Sequence, residues 1–221
     1  NTYFRWRTRT FKIVYKEVCV VYLHTMNRRE FFLKSMLGLA SLGFLFGFKK
    51  SNNEDDMKSK LEKLLDIEEI KKLKYRYFRG IDMADMELLE SLFTDNASLD
   101  YRGGSYRWQV KGKKDILEQI ANAFHSDALA CHQGHHPEIE ITGLNTAKGL
   151  WYLSDTFTDT KTQTTTRGSA IYQDQYVKES GNWKIKKSEY DRIWEEVEPA
   201  NPETKIIVQY LKEHGKKLDD R

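Results

Sequence analysis

Apolar residues recur at helical spacing through much of the first half of the folded region. Between positions 61 and 81 they fall three or four residues apart, which places them on one face of a helix. The stripe is Leu64, Ile67, Ile70, Leu73, Tyr77 and Ile81. Asp85 can cap a second helix with apolar residues over 86–93, and a third helix is predicted at 113–124. The pattern also predicts a short final helix at 203–214.

From position 132 onward the period of the pattern changes to two, as is typical of strands. Strands are predicted at about 132–142, 146–160, 167–178 and 182–190, after a short strand at 97–101. Glycine-containing turns at 143–145 and 179–181 join two pairs of these strands as hairpins. Helices followed by a run of hairpin-linked strands predict an α+β fold, with helices on one side of a mostly antiparallel sheet.

The strand predicted at 146–160 carries a carboxylate on its apolar face. Every second residue is small or apolar except one, in the series Ala147, Gly149, Trp151, Leu153, Asp155, Phe157. A carboxylate that points into a core needs a partner. His132 lies upstream on the neighbouring predicted strand, so we expect a His132–Asp155 hydrogen bond inside a pocket. His135 and His136 complete an HxxHH pattern, but a strand with no fourth ligand at suitable spacing does not predict a zinc site.

Composition bounds the class of protein. The chain has 221 residues, 39% of them hydrophobic, which is enough for one domain with a substantial core. The net charge of +3 arises mostly from the first 50 residues, so no nucleic-acid surface is predicted. Cys19 and Cys131 are the only cysteines and do not form a disulfide framework. The aromatic content of 13% fits either a lined pocket or aromatic core packing.

The first fifty residues have the composition of a leader. Residues 1–25 are basic and aromatic without a period, and Met26 begins a pattern with Arg28-Arg29, then Phe and Leu. The apolar run at 36–48 is shorter than the roughly 20 residues of a membrane span. We therefore expect a twin-arginine-like export signal at 26–50, with residues 1–25 as an upstream or unstructured extension.

This leader predicts a periplasmic location, with membrane contact only through the signal or through an uncleaved anchor. The polar stretch 51–64 is interpreted as a linker, 65–198 as the folded domain and 199–221 as a tail with a short helix.

Several short blocks occur together in a specific order. They are Asp66-Ile67-Glu68, Tyr77-Phe78-Arg79, His132-x-Gly134-His135, Gly149-x-Trp151-Tyr152-Leu153-x-Asp155, Tyr172-x-Asp174-x-Tyr176 and Tyr190-x-Arg192-Ile193. Because of these blocks, the segment of about 66–197 resembles the SnoaL-like proteins of the nuclear transport factor 2-like superfamily. Within that superfamily it is most similar to bacterial bile-acid 7α-dehydratase and more distantly to scytalone dehydratase. The resemblance implies a cone-shaped α+β barrel with three helices packed on a curved sheet, and a homodimer or homotrimer.

The resemblance also implies dehydration without a metal or cofactor. Its catalytic positions correspond to His132, Asp155, Tyr77, Arg192 and Asp82. The expected substrate-binding residues are Tyr101, Trp151, Phe157, Tyr172 and Asp174. His132 would act as base and then acid, Asp155 would support the imidazolium, and Tyr77 would donate to a carbonyl oxygen. Arg192 would orient a carboxylate or assist an enolate.

The sequence departs from scytalone dehydratase at two of these positions. Phe157 stands where that enzyme has a second pocket histidine, and Asp174 stands where it has an asparagine. The hypothesis is a lyase that removes water from a hydrophobic hydroxy-ketone, steroid-like or polyketide-like. Two alternatives remain: an isomerase or cyclase that uses the same proton transfers, and a non-catalytic module that binds a small ligand.

Overall fold

The computed structural model describes residues 52–104 and 106–216, so the predictions for 1–25 and 26–50 lie outside the described residues. The elements of the first half are α1 (Asn52–Asp82), α2 (Met86–Leu92), β1 (Phe93–Arg102), β2 (Arg107–Lys111) and α3 (Lys113–Ala123). Those of the second half are β3 (Ala128–Gly143), β4 (Thr146–Asp159), β5 (Thr164–Glu179), β6 (Asn182–Pro199) and α4 (Tyr210–His214).

The six strands form one curved sheet in the order β2-β1-β6-β5-β4-β3. All neighbours are antiparallel except β1 and β6, which run parallel. The predicted α+β fold is thereby confirmed, and the short final helix predicted at 203–214 is present as α4 over 210–214. Because β6 lies between β1 and β5, the last strand of the chain joins the β1–β2 hairpin to the β3–β5 meander.

Helix α1 buries the apolar stripe predicted from the sequence from Ile70 onward, whereas Leu64 is 60% exposed. Ile70, Leu73, Tyr77 and Ile81 are at most 2% exposed, because successive steps of three and four residues keep them on one face. The segment 52–64, interpreted as a linker, is helical instead. The side chains of 53–64 stay in solvent with ion pairs at i,i+4 spacing, such as Lys60–Asp56, which support a helix without burial. Within the described part of the chain, no helix is long and apolar enough to cross a membrane.

Strand β4 alternates strictly between exposed and buried residues from Thr146 to Asp155. This parity confirms that Asp155 faces inward, where it is 9% exposed. The register of the β3–β4 pair sets His132 directly opposite Asp155, so both side chains point to the same face of the sheet.

Three strands differ from the sequence predictions. Strand β2 was not predicted; Gly103-Gly104 lies in the turn of the β1–β2 hairpin. Strand β1 is ten residues long and begins four residues before the strand predicted at 97–101, with an irregular register between Phe93 and Ser98. Strand β6 continues nine residues beyond the predicted end at 190, paired with the start of β5 throughout.

Candidate active site

A cavity of about 430 Å³ lies between the curved sheet and helices α1 and α3. Most of the side chains around it are aromatic or apolar, and the polar atoms come from a few hydroxyl groups and charged residues. The lining consists of Tyr77, Ile81, Tyr101, Tyr106, Arg107, Trp108, Ala123, Phe124, His132, Leu153, Asp155, Phe157, Thr166, Tyr172, Tyr190 and Arg192. A concave, mostly apolar pocket with a few convergent polar groups is the usual form of a small-molecule site.

The end of α1 brings a carboxylate into contact with His132, which lines the cavity, although the carboxylate itself is not part of the lining. Asp82, the last residue of α1, accepts a hydrogen bond from the backbone N–H of His132 at 3.0 Å through Oδ2. Its Oδ1 lies 2.6 Å from Nδ1 of the His132 ring. With Nδ1 protonated and donating to Asp82, the neutral imidazole presents Nε2 as its basic nitrogen.

Aromatic rings hold the His132 imidazole in place. The Phe124 ring makes an edge contact with it at 5.5 Å between centroids, and the Phe78 ring is stacked at 6.5 Å. Phe78 can approach β3 because Gly134 has no side chain: a Cβ there would lie 2.2 Å from Cε2 of Phe78. The His132 side chain is consequently only 11% exposed.

The predicted hydrogen bond between His132 and Asp155 is wrong. Both Asp155 oxygens bind the guanidinium of Arg192 on β6, Oδ2 at 2.8 Å from Nη2 and Oδ1 with Nη1. A bidentate contact with a permanent cation outcompetes a single bond to a neutral imidazole. The carboxylate partner of His132 is Asp82.

Arg192 donates to three protein side chains, so a substrate carboxylate would compete with them for the clamp role expected of Arg192. Besides Asp155, it donates from Nε to Glu195 at 3.1 Å and from Nη2 to the Tyr106 hydroxyl at 3.3 Å. Burial lowers the pKa of this guanidinium, but the hydrogen bonds that it donates to Asp155 and the surrounding acidic groups together outweigh burial and raise the pKa above its usual value. Two acids around one cation leave no net positive charge to attract an anion.

A β-bulge allows Glu195 to reach Arg192. The register of β5 with β6 shifts by one residue, from Ala170 opposite Arg192 to Ser169 opposite Trp194. In a regular strand, residues three apart face opposite sides of the sheet, whereas the extra residue returns Glu195 to the side of Arg192. The side chains of Arg192 and Glu195 are 7% and 6% exposed.

On the deep wall of the cavity, hydroxyl groups form a continuous chain of hydrogen bonds. Tyr77 and Tyr101 share a bond of 2.6 Å, Tyr101 donates to Ser188 at 3.1 Å, and Ser188 donates to Oδ1 of Asp174 at 2.6 Å. Burial raises the pKa of the Tyr77 and Tyr101 hydroxyls well above the usual value. Both therefore stay protonated across the neutral range.

Asp174 and Trp151 do not line the cavity, although both were expected to bind substrate. Asp174 accepts hydrogen bonds from Ser188 and Tyr176, and its Oδ2 lies 2.8 Å from Nζ of the buried Lys74. Trp151 donates from Nε1 to the Tyr176 hydroxyl at 3.0 Å and packs on Tyr75. The inward parity predicted for Trp151 was correct, but at this level of the cone the interior is filled by side chains.

Tyr101, Phe157 and Tyr172 do contribute to the lining. Phe157 makes an edge contact with Phe124 at 5.9 Å, on the same wall as His132. The sequence reasoning missed Tyr106 and Trp108, which belong to the unpredicted β2 region, and Tyr190, whose hydroxyl pairs with that of Tyr106. The alternation of Tyr190 and Arg192 on one face of β6 was a signal that could have identified Tyr190.

The exposed histidines lie away from the cavity. His135 and His136 are exposed and pack near each other and Tyr152. Across residues 52–104 and 106–216, no three His, Cys, Asp or Glu side chains are grouped as metal ligands would be.

Comparisons with known proteins agree with this architecture. The profile of a family described as the SnoaL-like domain matches residues 62–189. A candidate scytalone dehydratase of Novosphingobium aromaticivorans DSM 12444 is 23% identical, with 65% of this chain and 97% of the other covered and a TM-score of 0.53.

Two further structures show the same likeness. Hexachlorocyclohexane dehydrochlorinase LinA-type3 of Novosphingobium barchaimii LL02 is 18% identical over 68% of this chain and 99% of its own, with a TM-score of 0.56. The protein Kfla4162 of Kribbella flavida is 16% identical over 60% and 93%, with a TM-score of 0.54. At these identities the likeness is one of fold.

Proposed function

This chain belongs to the SnoaL-like domain family, and on that premise we propose that it is a lyase that removes water from a hydrophobic hydroxy-ketone without a cofactor. The observation that carries the proposal is the 2.6 Å contact between His132 Nδ1 and Asp82 at the wall of an aromatic cavity. A carboxylate that holds one ring nitrogen prepares the other for general acid–base chemistry, as in a catalytic triad. Asp82 takes the orienting role that the sequence assigned to Asp155.

The proton transfers follow from this arrangement. Nε2 of His132 removes a proton from the carbon next to the substrate carbonyl, and the electrons of the broken C–H bond form an enolate. Collapse of the enolate forms the C=C bond and breaks the C–O bond of the β-hydroxyl group. The imidazolium returns its proton to the departing hydroxide, which leaves as water. Asp82 stabilises the imidazolium between the two steps, and general acid–base catalysis of this kind contributes about 10²–10⁴-fold.

The developing enolate oxygen needs a hydrogen-bond donor. Tyr106 and Tyr190 line the cavity and share one hydrogen bond, while Arg192 donates to the Tyr106 oxygen. Two hydroxyl groups carry two protons and the bond between them uses one. One proton therefore remains for a ligand, whichever tyrosine donates to the other. The adjacent guanidinium strengthens that donor, since its positive charge polarises the hydroxyl group.

The substrate class follows from the lining. The cavity of about 430 Å³ falls within the range of roughly 300–1,000 Å³ for small-molecule pockets and is walled mainly by aromatic rings. Arg192 is neutralised by two acids, so a carboxylate on the substrate gains little there. A neutral, ring-containing hydroxy-ketone, steroid-like or polyketide-like, suits these walls.

The test is turnover of a panel of aromatic and steroidal β-hydroxy-ketones, followed by enone absorbance and by mass for the loss of one water. His132→Ala should reduce turnover to background while the folded state and ligand binding persist. His135→Ala is the matched control, because His135 lies on the same strand but is exposed on the other face. Turnover by His132→Ala at the wild-type rate would remove this mechanism.

The same panel separates the alternatives. An isomerase or cyclase would give a product of unchanged mass with the same dependence on His132. A binding module would bind panel members without converting any of them.

We further propose that residues 26–50 direct export and that the folded domain faces the periplasm. The Arg28-Arg29 pair followed by the short apolar run supports this. Replacing both arginines by lysine in the full chain should retain the protein in the cytoplasmic fraction. Periplasmic recovery unchanged by that replacement would contradict the proposal.

Self-association is proposed through the outward sides of β4 and β6. Leu150, Tyr152 and Ile193 are 43%, 46% and 54% exposed, which is unusual for large apolar side chains on a sheet. Light scattering after size-exclusion chromatography should give a dimer or trimer, and Tyr152→Lys should shift it towards monomer.

A further inference from the structure

Behind the cavity lies a buried ion pair that the mechanism above does not use. Lys74 on α1 is fully buried, and its Nζ lies 2.8 Å from Oδ2 of Asp174, a contact of charges rather than a well-directed hydrogen bond. The other sides of the ammonium group face aromatic rings, with the Tyr172 centroid at 3.6 Å and the Tyr77 centroid at 4.7 Å. Burial lowers the pKa of Lys74, and the charge of Asp174 opposes that shift.

All polar neighbours of Asp174 are donors to it. Ser188 donates to Oδ1 and Tyr176 donates to Oδ2, both at 2.6 Å, while the Lys74 ammonium adds its charge at Oδ2. An ammonium group at this distance favours the ionised carboxylate, which only accepts hydrogen bonds. Asp174 is thus the acceptor end of the hydroxyl chain that runs to the cavity.

Because Asp174 can only accept, it determines the donor and the acceptor of every hydrogen bond in that chain. Since Ser188 gives its proton to Asp174, its oxygen accepts from Tyr101, and the Tyr101 oxygen in turn accepts from Tyr77. Three hydroxyl groups carry three protons, and the three bonds use all of them. The Tyr77 and Tyr101 oxygens are 2.6 Å apart, so a proton must lie between them.

We propose that the Lys74–Asp174 pair makes Tyr77 a hydrogen-bond acceptor towards the cavity, so that Tyr77 binds a hydroxyl group of the substrate rather than its carbonyl oxygen. This inference rests on the proposed function and replaces the donor role expected for Tyr77. If Tyr77 turned its proton to a carbonyl, two buried oxygens would face each other at 2.6 Å without a hydrogen. A buried, unmade hydrogen bond of this kind is costly.

The two tyrosine pairs in the cavity therefore offer a ligand opposite hydrogen-bonding roles, one as donor and the other as acceptor. The Tyr106–Tyr190 pair keeps one proton for a ligand, whereas the Tyr77–Tyr101 pair keeps none. A hydroxy-ketone would place its carbonyl oxygen at the former and a hydroxyl group at the latter. An acceptor does not assist departing hydroxide, so the hydroxyl group at Tyr77 is not the one that leaves. The substrate class is then a ketone with at least two hydroxyl groups.

The experiment measures binding, not turnover, with two probes of nearly equal shape. 1-Tetralone can only accept a hydrogen bond at its oxygen, whereas 1,2,3,4-tetrahydro-1-naphthol can also donate one. Titration calorimetry on the full chain should show the alcohol binding about tenfold more tightly than the ketone, the effect of about one hydrogen bond. In Tyr77→Phe the two affinities should agree within about twofold.

Two further variants test the origin of the preference. Tyr176→Phe is the matched control, because Tyr176 also donates to Asp174 but lies outside the chain to the cavity, and it should keep the alcohol preference. The double variant Lys74→Met/Asp174→Asn leaves no unpaired buried charge and offers an amide N–H to Ser188. The chain can then reverse, and the ketone should gain relative to the alcohol.

Equal binding of the two probes by the wild type, tighter binding of the ketone, or no binding of either at millimolar concentration would overturn the inference. So would an alcohol preference that survives in Tyr77→Phe, or one that the double variant leaves unchanged. Because no turnover is measured, a ketone preference in an active enzyme removes this inference alone. An alcohol preference in an inactive protein removes the proposed function alone.

Discussion

Two basic side chains line different walls of the cavity, each held by carboxylates, and they differ in the chemistry of the base. On one wall Asp82 holds the imidazole of His132, and on the other Asp155 and Glu195 hold the guanidinium of Arg192. His132 and Asp155 are direct neighbours across β3 and β4, yet each is paired with a residue from a different element. Proximity in a sheet therefore did not decide the pairing.

The pairing follows from the strength and permanence of the charge on each base. A guanidinium stays protonated and offers a planar fork that matches a carboxylate, while an imidazole exchanges its proton near neutrality. The α1–β3 wall can move a proton, and the β4–β6 wall can only hold charge in place. The comparison predicts that damage to the first wall lowers turnover and damage to the second lowers stability.

The largest effect is expected from Asp82→Asn. The new amide would accept from the His132 backbone N–H and donate to Nδ1, which forces the proton onto Nε2 and removes the base. Turnover should fall about 10⁴-fold, as for the corresponding change in a catalytic triad, with ligand binding retained. Asp155→Asn, measured in the same assay, should lose much less. A larger loss in Asp155→Asn would restore the pairing predicted from the sequence.

Arg192→Met should have the next largest effect, on stability. It leaves Asp155 and Glu195 without their cation at sites where the side chains are 7% and 6% exposed. Removal of one partner of a buried pair costs about 3–5 kcal/mol in the free energy of unfolding. Urea denaturation gives the value, with His132→Ala as the comparison. Equal stability of the two variants would show that the walls do not differ in this way.

Two glycine substitutions should have smaller effects that also distinguish the two walls. In Gly134→Ala the new methyl group would lie 2.2 Å from the Phe78 ring, which packs beside His132. In Gly168→Ala it would lie 2.8 Å from the Trp194 carbonyl oxygen and 2.9 Å from Nη1 of Arg192. Overpacking costs about 1–3 kcal/mol in each. Only Gly134→Ala should lower turnover per folded molecule, and an equal loss in Gly168→Ala would contradict the division.

The smallest effect is expected from Trp151→Phe, a reference outside both pairs. It removes the hydrogen bond from Nε1 to Tyr176 and should cost about 1 kcal/mol in the free energy of unfolding. Probe affinity measured by calorimetry should be unchanged, because Trp151 does not line the cavity. A clear loss of affinity would show that Trp151 contributes to ligand binding.

The sequence predicted the features that depend on local periodicity. The stripe of α1 placed Tyr77 and Ile81 in the core, and the alternation of β4 placed Asp155 inward, as the structure confirms. The resemblance to a known family also predicted the α+β cone. These features need no knowledge of which elements meet.

The pairing of side chains could not be predicted in the same way. The resemblance gave Asp82 as a catalytic position, but its contact with His132, which spans 50 residues, was not predicted. The approach of Glu195 to Arg192 depends on a β-bulge that no period reveals. Asp174 has the parity of a lining residue, and only the position of Lys74 shows that it lies behind the wall.

The place of β6 between β1 and β5 has a consequence for synthesis. Strands β1 and β2 are made well before β6, which among the described strands is their only other partner in the sheet. Contacts so distant in sequence form late and slow the final stage of folding. A nascent chain released before residue 192 would lack the cation that Asp155 and Glu195 surround. A fragment that ends before residue 192 therefore lacks part of the wall that holds Asp155, so its cavity is incomplete.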